Sequence, residues 1–247
     1  MTTPPTPEQT WTNRIQALLT KAESTAAEFP EEAEALLAKA QELMVRHAID
    51  EATLAAVGKA SSDRVVSDVV LVSAPYATAK ASLLASVGRA NDCRVVMAAA
   101  GRGAQRCVVV GHESDLANVQ SLFSALSLHA VRSMLTAQVP PFDTPRRFRH
   151  AFLLAFSGRI GERLWEAGES VRDQARKRAD TGVGVALVLA GRSAAVDQAF
   201  RATFPRVRNT TLSSSSWAGR ASGRTAADRA GLGQPGIGGT NRRLQPG

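Results

Sequence analysis

The stretch "FPEEAEALLAKAQELMVRHAID", residues 29–50, is the most regularly patterned part of the chain. Pro30 suits the first turn of a helix, and Glu31, Glu32 and Glu34 complement the positive end of its dipole. Ala33, Leu36, Leu37, Ala40, Leu43 and Met44 recur at helical spacing and form one apolar face. Arg46 and His47 then fall where the negative end of the dipole is expected, and a short third helix, capped by Asp50 and stopped near Gly58, should follow. Upstream, "TPEQTWTNRIQALLTKA" offers Thr6 as a cap, Pro7 in the first turn and Gln9 three residues after the cap, followed by an apolar stripe of Trp11, Ile15, Leu18, Leu19 and Ala22. Only a tight turn separates the two helices, so residues 1–58 read as an antiparallel helical hairpin. His47 has no second His, Cys or carboxylate at ligand spacing within that hairpin, and its residue pattern is that of a helix-end histidine.

Beyond the polar linker "GKASSD" the periodicity changes. "RVVSDVVLVSA" is rich in β-branched residues and predicts a strand. "TAKASLLASVGRAND" predicts a helix that buries Leu83, Leu84 and Val87. "CRVVMAA" and "RCVVVG" flank the turn-like "AGRGAQ" and predict a hairpin; if it closes about Ala100, Cys93 and Cys107 face each other across paired strands. Residues 114–138 return to helix through Leu116, Val119, Leu122, Phe123 and Leu126, and "VPPFDTP" ends it. A long helix is expected over residues 145–180, buried through Phe148, Phe152, Phe156, Ile160, Leu164 and Val171, with Gly158 and Gly161 as places for a bend. "GVGVALVLAG" reads as a fourth strand, "SAAVDQAFRATF" as a helix and "WAGRASGRTAADRAGL" as a last helix. The expected class is therefore α+β: the hairpin, then over residues 64–232 a small mixed sheet of about four strands packed by long helices, then a disordered basic tail at residues 233–247.

The segments "RIQALLTKAES" and "PEEAEALLAKAQELMVRHAI" resemble a bacterial and phage family of unknown function, whose signature is an alanine-rich helical hairpin ending in histidine. "CRVV", "VVVGHESDLANVQSLFSAL" and "AFLLAFSGRIGERL" are similar to the longer, equally uncharacterised domain that follows the hairpin in that family. The resemblance implies a fold and no activity. Some relatives join the hairpin to a zinc-protease domain carrying an HExxH helix; no HExxH occurs in this sequence, and that activity does not carry over.

Composition narrows the class further. At 247 residues and 44% hydrophobic the chain can bury a sizeable core, and with 5% aromatics that core must rely on Ala, Val and Leu. Two cysteines are too few for a disulfide framework or a four-cysteine zinc site, which fits a reducing, cytoplasmic setting. The start "MTTPPTPEQTW" lacks the pattern of a signal peptide, and no apolar run approaches the ~20 residues of a membrane span. The net charge of +8 is unevenly placed: residues 1–140 carry 12 basic and 14 acidic side chains, whereas residues 201–247 carry eight arginines and one acid, Asp228.

Three places invite a functional reading. In "VVVGHESD", His112 with Glu113 and Asp115 sits between a strand and a helix, where acid–base or metal chemistry could be built, although Ser114 and the acids are equally what a helix start demands. That cluster, together with His150, carries the alternative of a hydrolase or nuclease-like enzyme. The arginine-rich third of the chain, with Arg206, Arg208, Arg220, Arg224, Arg229, Arg242 and Arg243, points to DNA or RNA held through phosphate. Arg220 and Arg224 share one helix face, and Gly219 and Gly223 share the next, permitting close approach to a helix or a phosphate backbone. Finally, the acidic hairpin, with nine acidic and five basic residues through position 60, could dock a protein partner. No cofactor or metal is called for: "GRGAQR" and "GLGQPGIGG" lack the lysine and hydroxyl of a phosphate-binding loop, and the serines at 213–216 lack a nucleophile turn.

Overall fold

A computed structural model describes residues 7–26, 28–56, 63–178 and 182–230. Its elements are α1 (Pro7–Thr25), α2 (Pro30–Ala56), β1 (Val65–Val72), α3 (Ala77–Ala90), β2 (Arg94–Ala99), β3 (Gln105–His112), α4 (Glu113–Thr136), α5 (Pro145–Arg178), α6 (Gly182–Thr203) and α7 (Trp217–Arg229). The fold is α+β, with helices outnumbering a small antiparallel sheet. The cap expected at Thr6 and the tail at residues 233–247 lie outside the described residues.

The N-terminal hairpin forms as its stripes predict. Ile15, Leu19 and Ala22 of α1 are buried with Ala33, Leu37, Ala40 and Met44 of α2, and Lys21 meets Glu32 at 2.8 Å across the turn. The expected third helix does not exist as a separate element. Nothing in "HAIDEATLAA" breaks a helix, neither proline nor glycine, so α2 continues through Asp50 to Ala56. His47 therefore stands two turns inside the helix and not at its end. Its side chain is 2% exposed, its ring centre lies 6.2 Å from that of Trp11, and neither ring nitrogen meets a hydrogen-bond partner among the described residues.

The sheet has the order β1-β3-β2, with both pairings antiparallel. β3 is the central strand and is buried from Cys107 to His112. The β2–β3 turn places Gly101, Arg102 and Gly103 in succession at positive φ, which only glycine adopts freely. This turn is longer than a closure about Ala100 requires. The register is consequently Met97 opposite Cys107 and Arg94 opposite Val110, a pairing centred on Arg102. Cys107 does not face Cys93, which precedes β2 and lies against Gly111; a Cβ on Gly111 would stand 2.4 Å from the Cys93 sulfur. Both thiols are buried, and burial raises their pKa values, that of Cys107 to about 11. They are small core hydrophobes with little thiolate character.

The fourth strand is absent among the described residues: "GVGVALVLAG" forms the first half of α6. Alternating valines fit a strand, but the run passes into "SAAVDQAFRAT" without a turn signal, and the whole segment continues as one helix packed on α2 and α5. The expected mixed sheet is thus three-stranded and purely antiparallel.

α5 runs unbroken through Gly158 and Gly161 and organises the core. Phe148, Phe152, Phe156, Ile160 and Leu164 are all at most 1% exposed, and truncating one of the phenylalanines to alanine is expected to cost about 3–5 kcal/mol. The hairpin's apolar face, the inner face of the sheet, α3, α4 and α7 share this cluster. α7 reaches α5 through glycine: a Cβ on Gly219 would stand 2.4 Å from the Phe148 carbonyl oxygen, and one on Gly223 2.2 Å from that of Phe152. Among the described residues no helix is long and apolar enough to cross a membrane.

Candidate functional site

The strand-to-helix junction at His112 is built around a residue far upstream, Asp63. The Asp63 carboxylate accepts from the Ser114 backbone N–H at 3.1 Å and from the Ser114 hydroxyl at 2.8 Å. It therefore caps α4 from across the fold, where His112, at the N-cap position, makes no side-chain cap of its own. Arg192 of α6 donates to Asp63 at 2.8 Å and to Asp115 at 3.3 Å. The two His112 ring nitrogens face backbone carbonyls, Nδ1 that of Asp63 at 3.0 Å and Nε2 that of Arg192 at 3.4 Å.

Electrostatics divide the two aspartates. Burial alone would raise Asp63, but the hydrogen bonds from the Ser114 backbone, Arg192 and the Ser114 hydroxyl outweigh it and hold the carboxyl below its ordinary value. At Asp115 burial prevails over the attraction of Arg192 and pushes the carboxyl up to about 7. Glu113 points outward and pairs with Arg64 at 3.3 Å. The cluster fastens α4 and α6 to the start of β1, with its polar atoms occupied by one another. Among the described residues, no group of three or more His, Cys, Asp or Glu is placed to hold a metal ion.

A different surface gathers the basic side chains. β2 is an edge strand, and beyond it residues 204–212 leave α6 in non-helical conformation. Between them runs a groove of about 920 Å³, lined by Arg89 of α3, Arg94 of β2, Phe200 and Phe204 at the end of α6, and Arg206 and Arg208; none of its lining residues is acidic. Arg94 is paired with Asp197 at 2.7 Å. Arg89, Arg206 and Arg208 are exposed, and no ion pair or hydrogen bond engages their guanidinium groups among the described residues. The Phe200 and Phe204 rings stand 5.6 Å apart. An edge strand adds a row of unpaired backbone N–H and C=O groups along the same wall. Spacing in the sequence gives no sign of Arg89 and Arg94, which lie more than 100 residues before Arg206; the α3–β2 connection brings them there.

The remaining arginines have other surroundings. Arg224 is paired with Glu162 of α5 at 3.2 Å, and Arg220 donates to the Ser214 carbonyl at 2.6 Å. Arg229 is exposed on a separate groove beside His129 and Ser133. Arg242 and Arg243 lie outside the described residues. Along the α5–α7 seam Arg159 pairs with Asp228 and Glu162, and Arg163 donates to the carbonyls of Ala227 and Ala230.

No match is found among curated proteins or among solved structures. The N-terminal hairpin, over residues 12–51, matches the family described as a protein of unknown function, DUF2786.

Proposed function

We propose that this chain binds nucleic acid through phosphate, in the groove between β2 and residues 204–212. The observation that carries the reading is the lining of that groove: four arginines, three of them exposed and without an ionic partner among the described residues, and no acidic residue. Guanidinium groups suit phosphate because their fork of N–H donors matches two oxygens at once. Arg206 and Arg208 are the principal contacts, joined by Arg89, while Arg220, Arg224, Arg229, Arg242 and Arg243 add to the long-range field.

Such contacts place a ligand and read no base, so affinity depends on salt more than on sequence. Three phosphate contacts imply a slope of log K against log salt of about −2.1 on a single strand and about −2.7 on duplex. Anisotropy titrations with labelled oligonucleotides between 50 and 200 mM salt measure it. Arg206→Gln with Arg208→Gln should reduce the single-strand slope by about 1.4. Absence of binding at low salt to any DNA or RNA probe, or an unchanged slope in the double variant, overturns the reading.

A further inference from the structure

Where α5 and α7 begin, two aromatic rings stand in solvent. Phe142 and Trp217 are each 65% exposed, yet their rings are stacked, with centres 6.2 Å apart and planes within 12° of parallel. Apolar rings that served only packing would be drawn into the core, and these are held outside it by a polar framework. The Ser216 hydroxyl donates to Asp143 and accepts from the Gly219 backbone N–H at 2.9 Å. Asp143 also accepts from the Thr144 N–H and from Arg147, both at 2.8 Å. Asp143 and Ser216 are the chain neighbours of Phe142 and Trp217, so these bonds fix the backbone on which both rings sit.

The surroundings are basic. Asp143, the acid closest in sequence to the pair, has a side chain only 2% exposed and is occupied by Ser216, Thr144 and Arg147. Arg146 and Arg220 are exposed in the first turns of α5 and α7, and no acidic residue occurs between Asp197 and Asp228. Leu212 lines the arginine groove, and the five peptide links from Leu212 to Trp217 span at most ~18 Å. The aromatic pair therefore lies within ~18 Å of the Leu212 edge of the groove, a distance that a few nucleotides of extended single strand can span.

We infer that the nucleic acid is single-stranded and that one of its bases stacks on the Phe142–Trp217 pair. This rests on the phosphate-binding reading of the groove and narrows its ligand. A base offers an outward ring face only when it is unpaired and unstacked, whereas duplex DNA presents phosphate and groove edges; aromatic platforms beside positive grooves are the means by which single strands are held without sequence preference. The groove and the pair act on different parts of the strand, so that arginines set the salt dependence and rings set the preference for single strands.

The test uses the full chain with fluorescein-labelled 12-mers of oligo-dT and oligo-U and a 12-base-pair duplex, followed by anisotropy. Trp217→Ala should weaken binding to single strands by about 5- to 150-fold, from stacking worth ~1–3 kcal/mol per base, and leave duplex affinity and salt slopes as they are. Phe142→Ala, in a loop, should act in the same direction, and Trp217→Phe should retain most of the affinity. A loss on either single-stranded probe supports the platform, with the dT and U arms separating DNA from RNA. If Trp217→Ala and Phe142→Ala leave single-strand affinity unchanged, or lower single-strand and duplex affinity alike, the platform is refuted while the groove reading stands. If Arg206→Gln with Arg208→Gln leaves the salt slope intact, the groove reading fails independently of the rings, and if the intact chain binds none of the probes both fall together.

Discussion

Arg206 and Arg208 on one side and Arg224 on the other meet two fates within one short segment. At the α5–α7 seam, glycines bring the helices close and carboxylates stand beside the guanidinium groups: Arg224 with Glu162, Arg159 with Glu162 and Asp228. At the β2 groove, Arg206 and Arg208 line a wall that holds no acid. Arg192 is the extreme of the first kind, its side chain 12% exposed and shared between Asp63 and Asp115. The difference teaches that a count of positive residues overstates the charge available to a ligand. What matters is where the backbone lets an acid approach.

The largest expected effect tests the seam. In Gly223→Val the new Cβ would stand 2.2 Å from a backbone carbonyl of α5, which cannot yield as a flexible side chain would. The cost should reach about 3 kcal/mol or more, a drop in melting temperature of roughly 6–12 °C by calorimetry for a domain of this size. An unchanged melting temperature would mean that α7 does not dock through its glycine face, and the pairing of Arg224 with Glu162 of α5 would lose its basis.

Arg192 and its two acids give the next largest. The Asp115 carboxyl titrates near 7 in the folded chain against an ordinary value of 3.8. Because the folded value is the higher one, the associated stability is fully present below about 3.8 and is lost as pH rises through about 7. Asp115→Asn keeps a hydrogen-bond acceptor for Arg192 and removes the titration. The variant should match the native chain in acid and exceed it by up to a few kcal/mol above pH 7. Urea midpoints of both proteins at pH 4.5, 6 and 7.5 follow the divergence, and parallel curves would show that Arg192 keeps Asp115 ionised throughout. Asp63, held below its ordinary value, contributes with the opposite sign and in more acidic solution.

The smallest effect sharpens the comparison most. Arg224→Gln removes an exposed ion pair and should change stability by less than about 0.5 kcal/mol. In salt titrations with a labelled single strand it should shift the slope far less than the ~1.4 expected for the Arg206 and Arg208 pair. Equal shifts per arginine would show that net charge alone governs, and that pairing with Glu162 is irrelevant to binding.

Local pattern was sufficient for much of this protein. The single-faced stripes of α1, α2, α4 and α5, the β-branched runs of β1 and β3, and the small-residue helix α7 follow from side chains a few positions apart, because helix and strand periodicities are properties of neighbouring residues. Where two periodicities coexist, as in the valines of α6, or where a turn holds three residues at positive φ, as at Arg102, the same local rules leave strand or helix and register undecided. The tertiary structure settled those, and it alone brought Asp63 to the N-terminus of α4, Arg192 between two aspartates, and Arg89 to the side of Arg206. Contacts of that kind join residues separated by 50 to more than 100 positions, and their energies depend on burial and on which charges the packed backbone places together.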